Sequence, residues 1–158
     1  MSGTGRERHV EVRRSVAATP AVVWGLVADI TRMGDWSPET TRAAWRDRAG
    51  GPAVGARFTG WNQRGSKTWS STCTVTACDP GRSFAFDVAI GPLSVAHWAY
   101  DLEPTAAGCT VTERWEDRRG RLVTWVSPAV TGTRDRAARN RETMTVTLDR
   151  LAAAAEVA

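Results

Sequence analysis

Apolar residues recur along this chain with two different periods, and the changes of period divide it into elements. His9–Val16 alternates, with Val10, Val12 and Arg14 on one face, and predicts a first strand. Val23, Leu26, Val27 and Ile30 then recur at helical spacing. Thr19 can cap that helix, and Pro20 suits its first position because proline's missing N–H would be unbonded there anyway. Asp29 can cap a second turn over Thr31–Asp35. Pro38 excludes further helix and biases Ser37 to an extended backbone.

Period-two patterns follow. Thr41–Arg48 predicts a strand ended by Ala49-Gly50-Gly51-Pro52, and Ala56–Asn62 another that turns at Gln63–Lys67 around Gly65. Thr68–Cys78 alternates most clearly, with Trp69, Ser71, Cys73, Val75 and Ala77 opposing Ser70, Thr72, Thr74 and Thr76. After Asp79-Pro80-Gly81, Ser83–Ile90 puts Phe84, Phe86 and Val88 on one face. After Gly91-Pro92, Leu93–Glu103 sets Ala96, Trp98, Tyr100 and Leu102 against His97, Ala99 and Asp101. Cys109–Asp117 aligns Cys109, Val111, Glu113 and Trp115. Gly120–Thr131 is apolar but interrupted by Pro128, and reads as a lid-like connection. Thr133 can cap a final helix to about Ala155, with Ala137, Arg141, Met144, Leu148 and Leu151 on one face and Asn140 and Thr147 beside it.

Frequent turns indicate an antiparallel meander. The expected class is therefore α+β: a curved antiparallel sheet of six or seven strands around a long C-terminal helix, with two short helices after strand 1. Residues 1–158 read as one domain, with an ordered core over about 9–155.

Composition removes some function classes. Hydrophobic content of 42% and charged content of 24% are those of a globular chain. No apolar run reaches membrane-spanning length, and the opening MSGTGRERH lacks a signal-peptide core, so the expected location is cytoplasmic, without stable membrane insertion. Cys73, Cys78 and Cys109 lack metal-type spacing and read as free thiols. The net charge of +4 invites a nucleic-acid reading, but the arginines are scattered among acids and form no basic stripe, so no nucleic-acid partner is expected. Eight tryptophans against one tyrosine suit a core that also needs walls for an apolar cavity.

Thr19-Pro20 with Val23-Trp24, the step Trp36-Ser37-Pro38, Val54-Gly55-Ala56-Arg57-Phe58 with Asn62, and Leu102-Glu103-Pro104 carry a family likeness. Through them the chain resembles the START-like (helix-grip, SRPBCC) superfamily, and specifically bacterial polyketide cyclase/dehydrase and lipid-transport proteins. The resemblance covers about residues 9–155. It implies a small hydrophobic or aromatic ligand, polyketide-, lipid- or isoprenoid-like, held between sheet and C-terminal helix. It also implies that Asn62 lies near the cavity, where its amide could orient a ligand carbonyl; a role confined to stabilising the Gln63–Lys67 turn is the alternative.

Glu113 is the first candidate for chemistry. Between Val111 and Trp115 it faces inward, where desolvation would raise its pKa and suit it as a general acid or base for a cyclase or dehydratase. The alternatives are an ion pair with an arginine such as Arg57 or Arg141, or a register slip that turns it to solvent. The expected ligand wall is Trp61, Trp69, Phe84, Phe86, Trp98, Tyr100, Trp115 and Met144, each of which could equally be plain core. Trp36–Pro38, Gly65 and Gly120–Thr131 would form its mouth. Asn140 either reaches the pocket or closes a polar rim. Arg134, Asp135, Arg136 and Arg139 read as a solvated face. By strand parity His97 points away from the cavity, and His9 reads as structural or exposed. No metal site or cofactor is expected, and the chain is expected to be a monomer or homodimer. A protein-interaction module with an exposed apolar patch at Leu122–Val130 is a further alternative.

Overall fold

The computed structural model describes residues 7–120 and 135–158. β1 (His9–Val16) leads into α1 (Pro20–Ala28), a 3-10 turn (Ile30–Arg32) and α2 (Met33–Trp36). β2 (Thr40–Trp45), β3 (Arg57–Arg64), β4 (Lys67–Asp79), β5 (Ser83–Ile90), β6 (Leu93–Thr105) and β7 (Gly108–Asp117) follow, and α3 (Arg136–Glu156) closes the chain. The seven strands form one antiparallel sheet in the order β1-β7-β6-β5-β4-β3-β2. Its concave face grips α3, which packs on β1, β7, α1 and α2. The expected helix-grip α+β architecture is therefore the one observed.

The N-terminal elements form for the reasons read in the sequence. Thr19 Oγ1 accepts from Val22 N at 3.3 Å ahead of Pro20, and Asp29 Oδ1 accepts from Thr31 N at 3.2 Å. Ser37 is extended at φ −76°, ψ 126°, in front of Pro38. Val23, Val27, Ile30 and Trp36 are buried in the main core with Phe58, Phe84, Val111, Leu148 and Leu151.

Local expectations change at three places. A bulge between Val75 and Ala77 shifts the β4 register, so Cys78 pairs with Phe84 and packs on the core, whereas the sequence alternation had assigned that face to Ala77. Arg14 shares the inner face of β1 with Val10 and Val12, opposite Val111, and reaches the side of α3 half-exposed beside Asp149. Arg141 does not join the apolar face of α3; it is exposed and ion-paired with Glu7. The cap of α3 is Asp135, whose Oδ1 accepts from Ala138 N at 3.0 Å. Residues 121–134, with the expected cap Thr133, the lid over Gly120–Thr131, the patch Leu122–Val130, and Trp125, lie outside the described residues.

Candidate functional site

Between the concave face of β3–β7 and the first half of α3 lies a cavity of about 280 Å³. The antiparallel register brings the end of β3, the start of β4, the β5–β6 turn, the end of β7 and the start of α3 to one end of the sheet. That end is open, since Leu93 both lines the cavity and is 48% exposed. At the opposite end α1 lies across the sheet, where Trp24 Nε1 donates to Ser83 O at 2.8 Å.

The wall is mostly apolar. Trp69, Phe86, Trp98, Trp115 and Met144 line it, as the sequence predicts, and Phe58 stands edge-to-face on Phe86 at 5.2 Å. Two predicted wall residues are elsewhere. Trp61 sits between the inward Gly60 and Asn62, so strand parity sends it to the outer face, where Arg42 stacks 3.8 Å over its ring. Phe84 is fully buried under α1 at the closed end and fills core instead of lining the cavity. Trp36, Ser37, Glu39 and Thr40 line the mouth, whereas Gly65 is not among the lining residues.

Glu113 and Tyr100 are directly opposed across β7 and β6, so their side chains share the inner face. Tyr100 Oη donates to Glu113 Oε1 at 2.8 Å. Glu113 is 2% exposed, and burial pushes its carboxyl up to about 8, with the tyrosine hydrogen bond pulling weakly the other way. Burial, reinforced by Glu113, also pushes the Tyr100 phenol well above its usual range. Neither arginine considered as a partner reaches the carboxylate: Arg57 pairs with Asp47, and Arg141 with Glu7. At neutral pH Glu113 is thus largely a neutral acid. With Oε1 occupied by the tyrosine, its Oε2 is buried without a hydrogen-bond partner.

Asn140 is 3% exposed, lines the cavity and leaves Nδ2 without a partner, so it belongs to the pocket and not to a solvated rim. Asn62 also lines it. Thr40 Oγ1 donates to Asn62 Oδ1 at 2.9 Å, and the β3–β4 turn is braced instead by Gln63, whose Nε2 donates to Gly65 O at 3.1 Å. Cys73 lines the cavity as a protonated thiol, pushed up to about 12 by burial. His97 faces outward with Nδ1 2.6 Å from Asp87 Oδ1, and His9 is exposed. Among the described residues, no group of three or more His, Cys, Asp or Glu could hold a metal.

Sequence reasoning missed the charged cluster at the mouth. Arg136 and Arg139 do not form a solvated face: both turn toward Glu39, and Arg136 lines the cavity. Arg119 also lines it, in bidentate contact with buried Asp117 at 2.9 and 3.0 Å. The available signal was the spacing of Arg136 and Asn140, one helical turn apart on the face of α3 that carries Met144. No sequence pattern announced Glu39, because the chain between α2 and β2 has no period.

A sheet gripping a long helix around a largely apolar cavity is the arrangement of START-like proteins. The profile of the family described as polyketide cyclase / dehydrase and lipid transport matches residues 7–156, and the chain belongs to that family. Among solved structures, it is similar to a Polyketide_cyc-like protein of Corynebacterium glutamicum (31% identity, TM-score 0.59, 94% of this chain and 90% of that one). A protein of Chromobacterium violaceum has the same fold (13%, TM-score 0.72, 95% and 99% covered). So does the di-domain ARO/CYC StfQ from the steffimycin biosynthetic pathway (14%, TM-score 0.73), half of whose length this chain spans. A search of the curated proteins finds no match. No helix among the described residues is long and apolar enough to cross a membrane.

Proposed function

We propose that this chain binds a small hydrophobic or aromatic ligand, polyketide-, lipid- or isoprenoid-like, in the cavity between sheet and α3. One observation carries this reading. The cavity is walled by aromatic and aliphatic side chains, yet Glu113 and Asn140 each leave a buried polar atom without a partner on it. Buried unsatisfied polar groups cost roughly 1–3 kcal/mol each, so a site that keeps such atoms is suited to a partner that the described residues do not supply. The volume is near the lower end of the roughly 300–1,000 Å³ range of ligand pockets, which favours ligands of two or three rings or a short chain. Trp69, Phe86, Trp98, Trp115 and Met144 would make the apolar contacts, and Asn62, Asn140 and Glu113 the polar ones. Trp36, Trp69, Trp98 and Trp115 all line the cavity, so tryptophan emission should respond to ligand. Titration with polyketides, fatty acids and isoprenoids should give saturable quenching or a shift by at least one class. Flat emission across the panel would sink the proposal.

A second reading, a cyclase or dehydratase, draws support from the neutral Glu113 carboxyl. Its unpartnered oxygen can donate a proton to a ligand carbonyl, and the ionised form can take one from the carbon beside it. For any substrate found to be converted, Glu113→Gln should abolish turnover while preserving binding. Unchanged turnover in that variant removes Glu113 from the chemistry.

A further inference from the structure

Hydrogen bonding is incomplete at the open end of the cavity. Arg136 and Arg139, from the opening turn of α3, both face Glu39, and Arg139 Nη1 also stands 3.7 Å from the exposed Glu142. Arg136 Nη1 donates to Glu39 Oε1 at 2.8 Å, while Arg139 Nε stands 3.8 Å from Glu39 Oε2, too far for a hydrogen bond. The three side chains are only 11%, 23% and 15% exposed, so this cluster is largely withdrawn from water. Arg136 Nη2, Arg139 Nε and Glu39 Oε2 are all buried without hydrogen-bond partners. One turn further along α3, Asn140 presents the unpartnered Nδ2 noted above. The i, i+4 spacing puts Arg136 and Asn140 on one face of the helix, and both line the cavity.

We propose that this end of the cavity is a carboxylate receptor. The ligand is an amphipathic acid whose apolar body fills the aromatic cavity and whose carboxylate is taken by Arg136 Nη2 and Asn140 Nδ2. The inference rests on the cavity-binding reading and names its ligand class. Two free donors on adjacent turns match the two oxygens of a planar carboxylate, and guanidinium is the side chain best shaped for that group. A ligand carboxylate there would also give the buried Arg136 Nη2 the partner it lacks, in surroundings where an unpaired polar group is costly. Burial depresses the Arg136 pKa, Glu39 opposes that, and Arg119 and Arg64 depress it further, so an incoming anion would relieve the strain on this guanidinium. Trp69, whose ring centre is 5.9 Å from the Arg136 guanidinium, offers the aromatic surface next to the head group.

Calorimetric titration of the full chain with 2-naphthylacetic acid, its methyl ester and 2-naphthyl phosphate tests this. The acid should bind at least tenfold more tightly than the ester and more tightly than the phosphate. In Arg136→Gln that preference should vanish with ester affinity unchanged. Asn140→Leu should lose part of it, and serves as the second variant if Arg136→Gln does not fold by circular dichroism. Equal affinity for acid and ester overturns the carboxylate receptor and leaves cavity binding standing. Tighter binding of the phosphate, or an acid preference that survives in both variants, also overturns it. Binding of none of the three, in a protein whose emission no panel ligand perturbs, overturns both readings.

Discussion

Replacing Glu113 by glutamine should change how stability depends on pH, and the structure fixes both the sign and the scale. In the unfolded chain this carboxyl titrates at its ordinary value of 4.5, and in the folded protein burial moves it to about 8. The folded state therefore holds a proton that the unfolded chain has already lost. The favourable contribution is complete below about pH 4.5, declines as pH rises through the window to about 8, and is gone above it. At about 1.4 kcal/mol per unit, that displacement corresponds to a difference on the order of 5 kcal/mol. Relaxation and water entry around an ionised carboxylate will reduce what is measured, to roughly 2–5 kcal/mol. Glutamine keeps the shape and an oxygen to accept from Tyr100 Oη, but has no proton to lose. Urea unfolding of both proteins at pH 5, 6.5 and 8.5 isolates the effect, because every other titrating group cancels in the comparison. Glu113→Gln should be about as stable as the parent at pH 5 and clearly more stable at pH 8.5. Parallel pH profiles for the two proteins would show that Glu113 is ionised in the fold and that the argument from burial is wrong.

Other perturbations give separate checks. Tyr100→Phe removes the hydrogen bond that lowers the Glu113 pKa; it should cost about 1–2 kcal/mol at pH 5 and move the pH window of instability upward in the same urea series. Leu148→Ala, at a position 2% exposed in the main core, should cost about 2–5 kcal/mol by urea unfolding, with the melting temperature falling accordingly. Gly108→Ala should be worse than an ordinary turn substitution, at least about 2 kcal/mol by thermal unfolding. The backbone there has φ +151°, and a Cβ would lie 2.2 Å from Val16 O, on the strand that β7 must pair with.

Elements with an internal period were legible from sequence, and elements defined by pairing were not. β5 has the predicted bounds because its apolar residues alternate without interruption, and β1 keeps them although Arg14 interrupts its valines. β4 reads as alternating through Ala77, yet one extra residue against β5 reverses its last positions, and a bulge leaves no mark in a single strand's pattern. The inward turn of Glu113 followed from parity with Val111 and Trp115. That it meets Tyr100 and no arginine depends on the β6–β7 register, which sequence does not specify. Trp61 and Asn62 were both expected at the wall, although adjacent strand residues cannot face the same way; the structure keeps Asn62. The Arg136–Glu39–Arg139 cluster was out of reach because it joins an aperiodic linker to a helix 97 residues away.

Under the proposed cavity binding, the choice between storing a ligand and converting it turns on how many groups there can exchange protons near neutral pH. Tyr100 and Cys73 cannot, since burial holds the phenol well above its usual range and the thiol at about 12. Glu113 at about 8 is the deep group poised to do so. A reaction at the deep end, away from Glu39 at the mouth, would use this one carboxyl as both acid and base, returning the proton it takes. Enolisation and loss of water across adjacent carbons fit that demand, whereas a reaction needing separate acid and base at once does not. Rate would then show one inflection near pH 8, falling with pH if proton donation limits and rising if abstraction does, and absent in Glu113→Gln. Two inflections in that range would require a second titrating group. A carrier would use the same neutral carboxyl only as a hydrogen-bond donor, and its affinity would weaken through that pH without any product forming.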